Sequence, residues 1–154
     1  MMSHSPTPCD DVQEKQGLTS AAVEQLIPFT KTAGAKCEKL TPEEVVVFIE
    51  NRREVQNHIA GIHACATALA AETATGLVTN FNCPDDKLIL LKELRVKYTK
   101  IATGGVRATA VFTKEMSSLI ASEPRGSFLV PVTVRDEAGI EPVKVEATWA
   151  WIPK

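Results

Sequence analysis

The chain has 154 residues, 44% of them hydrophobic and 23% charged, the size of one globular domain with its own core. Seventeen Lys and Arg against nineteen Asp and Glu give a net charge of −2 with no basic run, so no nucleic-acid partner is expected. No apolar stretch reaches the roughly 18 residues of a membrane helix, so no membrane partner is expected either, and the cytoplasm is the expected location.

The first 16 residues, MMSHSPTPCDDVQEKQ, lack both a signal peptide's apolar core and a transit peptide's Arg-rich face. They read as a disordered polar tail ahead of a single domain over 17–154. Leu18 to Phe29 reads as a short N-terminal helix. Thr19 is its candidate N-cap, Ala22, Val23, Leu26 and Ile27 recur at helical spacing, and Pro28 and Gly34 mark the exit. Ala35 to Ile49 gives two short strands broken by Thr41-Pro42, and Asn51-Arg52-Arg53 is a polar turn. Gly61 to Val78, GIHACATALAAETATGLV, is almost wholly small or apolar, with Ile62, Ala66, Leu69, Thr73 and Leu77 on one helical stripe. Its single carboxylate is Glu72. A helix with so little polar face must be covered on most sides, and a sheet is the plainest cover.

Everything after that helix is mainly β. Leu88 to Tyr98 alternates imperfectly, and Val106 to Thr113 sets Val106, Ala108, Ala110 and Phe112 on one face. A short helix around Glu115–Ala121 intervenes. Phe128, Val130, Val132 and Val134 share the next strand's inner face, and Val143, Val145, Ala147, Trp149 and Trp151 that of the strand after it. Pro131 and Pro142 cannot donate to a ladder and belong at a strand end, an edge or a bulge. Two strands, one apolar helix and four β segments predict an α+β fold. In it a long central helix is wrapped by a curved antiparallel β-sheet, with a short N-terminal helix ahead. Cys9, Cys37, Cys65 and Cys83 show no CxxC or Cys/His ligand spacing, so they read as free thiols and no metal site is expected.

Asn57-His58-Ile59-Ala60-Gly61-Ile62-His63-Ala64, with Glu72 nine residues after His63, resembles the signature of PaaI-like acyl-CoA thioesterases of the hotdog-fold superfamily. Those read N-x-x-G-x-x-H-G-G before the central helix, with an acid nine residues past the His. The motif glycine stands one residue later here, at Gly61. A closer resemblance is to an uncharacterised branch of that superfamily. It is carried by the run Asn51 to His58, by Glu72-Thr73-Ala74-Thr75-Gly76, by Val96 to Lys100 and by Glu146 to Trp149.

The resemblance implies a hotdog fold and an acyl thioester substrate, with coenzyme A present only as part of that substrate and no other cofactor. It also implies a homodimer, with pairing into a dimer of dimers left open. Glu72 would be the base or nucleophile, and Asn57, His63 and Ala64 would form the oxyanion site. Gly61, Thr73, Lys100 and Arg107 would contact substrate, and Arg52, Arg53, Lys100 and Arg107 are the candidate cations for coenzyme A phosphates. Read by themselves, the residues agree: N–H groups at a helix start suit an oxyanion, and partial burial raises a carboxyl toward a useful base. Each also has a plainer reading. His63 can cap the helix, Asn57 can fix a turn, and Lys100 and Arg107 can be solvated surface charge.

Two departures stand out. Ala64-Cys65 replaces the motif's Gly-Gly, and Leu91 aligns with a Ser that orients water in some relatives. A non-catalytic acyl or acyl-CoA binding protein is therefore the alternative. A β-hydroxyacyl thioester dehydratase is a weaker one: His58 precedes Glu72 by fourteen residues, but the Pro-rich segment of those enzymes is missing.

Overall fold

The computed structural model describes residues 19–154, so the expected tail over 1–16 and Leu18 lie outside the described residues. Thr19 caps as expected, its hydroxyl accepting the Ala22 N–H at 3.3 Å and opening α1 (Ser20–Leu26). Pro28 does not close that helix. With φ pre-set and no N–H to give, it starts a second one, α2 (Pro28–Ala33), and Ile27 between them leaves helical geometry at φ −128°, ψ 83°. The one predicted N-terminal helix is therefore two, with Leu26 and Ile27 at the corner. Gly34 ends α2 at φ 68°, and the Arg52 guanidinium, which donates to the Thr32 carbonyl at 3.0 Å, fills the space a side chain would need there.

The strands are β1 (Ala35–Leu40), β2 (Glu44–Ile49), β3 (Lys87–Tyr98), β4 (Val106–Val111), β5 (Gly126–Val130), β6 (Val132–Asp136) and β7 (Val143–Pro153). They form an antiparallel sheet in the order β1-β2-β4-β6 and another in the order β3-β7-β5. Pro131 is the seam. It has no N–H for a ladder, so the strand expected over Phe128 to Val134 breaks there, β5 joining one sheet and β6 the other. Four expected β segments become five. Register in β3 shifts between Leu91 and Glu93, so the inward positions change from odd to even numbers. Ile89 is half-buried before the shift, and Leu94 and Val96 after it. That bulge at Lys92 is the cause of the imperfect alternation.

The central helix, α3 (Ala64–Asn82), packs on strands of both sheets. Ala70, Ala71 and Ala74 are fully buried, and their small side chains let it sit close. It starts three residues later than its composition suggests. Gln56 bridges Ile62, the Val55 carbonyl accepts the His63 N–H at 2.8 Å, and Asn57 closes a loop onto Gly61, so Gly61 and Ile62 are spent outside it. It also runs past Val78, where Thr79 and Asn82 side chains bond carbonyls one turn back. A last helix, α4 (Lys114–Ser122), is capped by Thr113 and held at its other end by buried Lys87, whose ammonium donates to the Ile120 and Ala121 carbonyls.

Candidate active site

Two clefts flank the start of α3, and a third runs along its middle. The first holds about 180 Å³ and is lined by Asn57, Gly61, Ala64, Tyr98, Lys100 and neighbouring apolar residues. The Asn57 carboxamide oxygen accepts the Ile59 and Gly61 N–H groups at 3.1 and 3.0 Å, fixing the loop that carries it. Its Nδ2 has no protein acceptor among the described residues and remains a donor for the cleft. Ala64, the first residue of the helix, has the free N–H of a helix start. Tyr98 donates to the Ala64 carbonyl at 2.5 Å and ties the end of β3 to that first turn.

Within this loop the left-handed backbone falls on Ala60, at φ 58°, and not on Gly61. A Cβ on Gly61 would meet Asn57 only at 3.5 Å, an ordinary contact. The conformation that calls for glycine thus occupies the register of the motif glycine, and this chain fills it with alanine.

His63 is turned the other way. It is the N-cap of α3, its Nδ1 accepting the Cys65 N–H at 2.9 Å, and it lines a second cleft of about 160 Å³ with Phe29, Glu54 and Cys65. A ring nitrogen that accepts a backbone N–H leaves only Nε2 to face a ligand. The expected oxyanion set is therefore divided between two clefts.

Glu72 lies eight residues along α3 from Ala64, half-buried. Burial pushes its carboxyl above the ordinary carboxylate range, and the neighbouring Thr73 hydroxyl offsets only part of that rise. Thr73 is itself buried, its hydroxyl lacking a well-aligned hydrogen bond, and lines the third cleft, a groove of about 270 Å³ beside Gly76, Ile89 and Trp149. Arg107 lies apart from all of these, on the outer side of the β1-β2-β4-β6 sheet. It pairs with Glu38, sits 4.7 Å over the Phe48 ring, and shares a cleft with Thr109, Thr133 and Arg135. The structure thus brings Asn57, Gly61, Ala64 and Lys100 together, and places His63, Glu72, Thr73 and Arg107 elsewhere. Leu91 is partly exposed and pairs with Trp149 across the strands.

Two residues of these clefts carry no role from sequence reasoning. Tyr98 is the single tyrosine of the chain, and its place at a strand end between Lys97 and Lys100 was the available signal. Trp149, expected on the inner face of its strand, is buried but also forms a groove wall. Its indole N–H donates to the Thr75 hydroxyl at 2.9 Å.

The family model for a domain of unknown function, DUF4442, matches residues 15–152. No curated protein matches the chain. Among solved structures it is similar to the structural-genomics protein APC5556, at 29% identity over 94% of this chain and 97% of that one, with a TM-score of 0.74. A Pseudomonas aeruginosa protein of unknown function, called a probable thioesterase, superposes with a TM-score of 0.80 at 20% identity, over 99% of this chain and 100% of that one. A Haemophilus influenzae thioesterase superposes at 0.69 with 13% identity, over 90% and 94%. The helix wrapped by antiparallel sheets is the hotdog fold.

Proposed function

The chain belongs to the DUF4442 family, and on that premise we propose that it hydrolyses acyl thioesters, acyl-CoA being the expected form. One observation carries this reading: Glu72 is the single carboxylate of a nineteen-residue helix, half-buried and held above the ordinary carboxylate range. A carboxylate so placed accepts a proton from water as that water attacks the thioester carbon. The oxyanion that forms takes hydrogen bonds from the Ala64 N–H and Asn57 Nδ2, and its collapse expels the thiolate, which recovers the proton. Direct attack by Glu72 to give an anhydride, later hydrolysed, uses the same groups. The thioesterase names of the Pseudomonas and Haemophilus structures support the same class.

The site is shared between two chains in this reading. Eight residues at 1.5 Å each separate Ala64 from Glu72 by about 12 Å along the helix axis. Reacting groups must come within roughly 3–3.5 Å, so one chain's donor cannot serve its own carboxylate. A two-fold dimer with antiparallel central helices brings them together. The open edge of β3, twelve residues long with Leu88 and Leu90 exposed, is a surface on which such a dimer can form.

Leu91 favours a second reading, an acyl-binding protein without turnover, because no hydroxyl stands at that position to orient water. His58, exposed on the Asn57 loop, does not line the first cleft and gives the dehydratase no support. A panel of acyl thioesters assayed for free thiol tests the proposal. Thiol release supports it. An enoyl product selects the dehydratase, and a raised melting temperature without thiol over hours selects the binding protein.

A further inference from the structure

The cleft at the start of α3 has a wall that comes from elsewhere in the chain. Lys100, Ile101 and Ala102, in the loop between β3 and β4, line it together with Pro142 and Val143. Lys100 is the single charged residue of that lining among the described residues. Little packing holds this stretch, since Ile101 is 79% exposed. Its backbone is instead pinned on either side by one turn, that between β6 and β7. At the near end the Thr99 and Lys100 N–H groups donate to the Pro142 carbonyl at 2.9 and 3.1 Å. At the far end the Thr103 N–H donates to Oδ2 of buried Asp136 at 2.9 Å, and the Thr103 carbonyl accepts the Glu137 N–H at 3.1 Å. The Glu137 carboxylate accepts the Gly105 N–H at 3.2 Å and fills the space a side chain on Gly104 would need. Asp136 spends its other oxygen on the turn itself, Oδ1 accepting the Ala138 and Ile140 N–H groups at 3.0 Å each. Its carboxyl is held below the ordinary aspartate range, the Thr103 bond contributing most. One buried carboxylate thus shapes the turn and ties it to the cleft wall.

We infer that Asp136 is a positioning residue for this cleft: by holding Thr103 it fixes where Lys100 stands, and so how tightly the anionic carrier of a thioester is bound. The identity of the occupant rests on the thioester reading. Asp136 does not line the cleft and acts through the backbone from Lys100 to Ala102, which spans the gap between its own bond and that to Pro142. Two anchors hold so short a span in one conformation, and releasing one returns backbone freedom that binding must then remove. The effect therefore falls on affinity, and chiefly on a substrate whose charge Lys100 meets. Asp136→Asn separates the two tasks of the residue. The carboxamide oxygen still serves Ala138 and Ile140, but the NH2 group then faces the Thr103 N–H, donor against donor. The turn stays and its tie to the loop is lost.

One acyl group carried on coenzyme A and on neutral N-acetylcysteamine tests this. Asp136→Asn should raise KM for the coenzyme A thioester about tenfold, with kcat and the neutral thioester changed less than about twofold. Removing a negative charge near the cleft would by itself favour an anion, so the expected rise is opposite in sign to a bulk charge effect. Lys100→Ala should raise the same KM, and the double variant should be no worse than either, because both changes remove one interaction. Glu137→Ala, at an exposed position, loses only the Gly105 bond and should raise that KM about threefold, which decides the matter if Asp136→Asn fails to fold. Both thioesters impaired alike, additive effects of Asp136→Asn and Lys100→Ala, or an unchanged KM in the folded variants overturns the assignment. A non-hydrolysable thioether of coenzyme A, titrated by calorimetry, separates it from the hydrolase reading. Thioether binding that Asp136→Asn weakens about tenfold, with no thioester hydrolysed, keeps the positioning role and removes the hydrolase. Thioesters hydrolysed with a KM that neither variant moves do the reverse. Neither binding nor hydrolysis by the wild type overturns both.

Discussion

The start of the central helix and its middle are opposite kinds of surface. At the start, an irregular loop gives up its own hydrogen-bonding groups to hold Asn57, Gly61 and Ala64 in place, leaving donors facing a cleft. In the middle, regular helix and sheet bury alanines and a tryptophan around one carboxyl that burial makes a better base. Donors need an interrupted backbone and a tuned carboxyl needs an unbroken, dry one, so a single stretch of chain cannot supply both at one point. The proposed two-fold dimer, with its central helices antiparallel, would resolve this.

Removing the carboxyl breaks the comparison most sharply. Glu72→Gln keeps size and hydrogen bonding, and turnover should fall at least about a hundredfold while circular dichroism stays unchanged. Near-wild-type turnover would end the assignment. The next test asks whether the two regions act across chains. Asn57→Ala and Glu72→Gln homodimers, each first shown to be inactive, are coexpressed. Random pairing makes half the dimers mixed, each with one intact site of two, so about a quarter of wild-type activity should return. If mixing restores nothing, donor and base belong to one chain.

The environment of Glu72 can be sharpened by pH. Acyl thioester turnover should lose its acid limb above the ordinary glutamate value of about 4.3, and a limb at or below that value would contradict a buried base. Stability follows from the same rise. A carboxyl whose folded pKa exceeds its unfolded one contributes fully below the unfolded value, and the contribution is lost as pH climbs through the folded value. Glu72→Gln, neutral throughout, should therefore melt above wild type at neutral pH, with the gap closing in acid. The smallest effect belongs to the loop. Ala60→Gly relieves the left-handed backbone and should stabilise by up to about 1 kcal/mol in thermal or urea melts, whereas destabilisation would mean that the strain is absent.

The middle of the helix was the legible half. A lone carboxylate among alanines and threonines stands out in any reading, and strand alternation over Val143 to Trp151 needs only period two. The start was less legible because its geometry is made by partners distant in sequence. Gly61 and Ile62 have helical composition, yet the bridge to Gln56 and the bond from His63 to Val55 draw that backbone out of the helix. Residue identity likewise points to Gly61 as the special glycine, whereas the left-handed backbone stays at the motif spacing, on Ala60. His63 lies at the motif position but spends Nδ1 on its own helix. Arg107 was grouped with Lys100 by charge alone. The strand register that carries it toward Glu38 and Phe48 depends on β1, β2 and β4 together.

The order β3-β7-β5 also fixes a sequence of events during synthesis. Strand β7, residues 143–153, is the middle strand of its sheet, and β3 and β5 touch only through it. Leu88 pairs with Ile152, so a nascent chain carries β3 through translation of dozens of further residues before its partner exists. A ribosome-bound chain stopped before Val143 should accordingly leave the inner face of β3, Ile89, Leu94 and Val96, open to chaperones, and release of the last stretch should cover that face in one step.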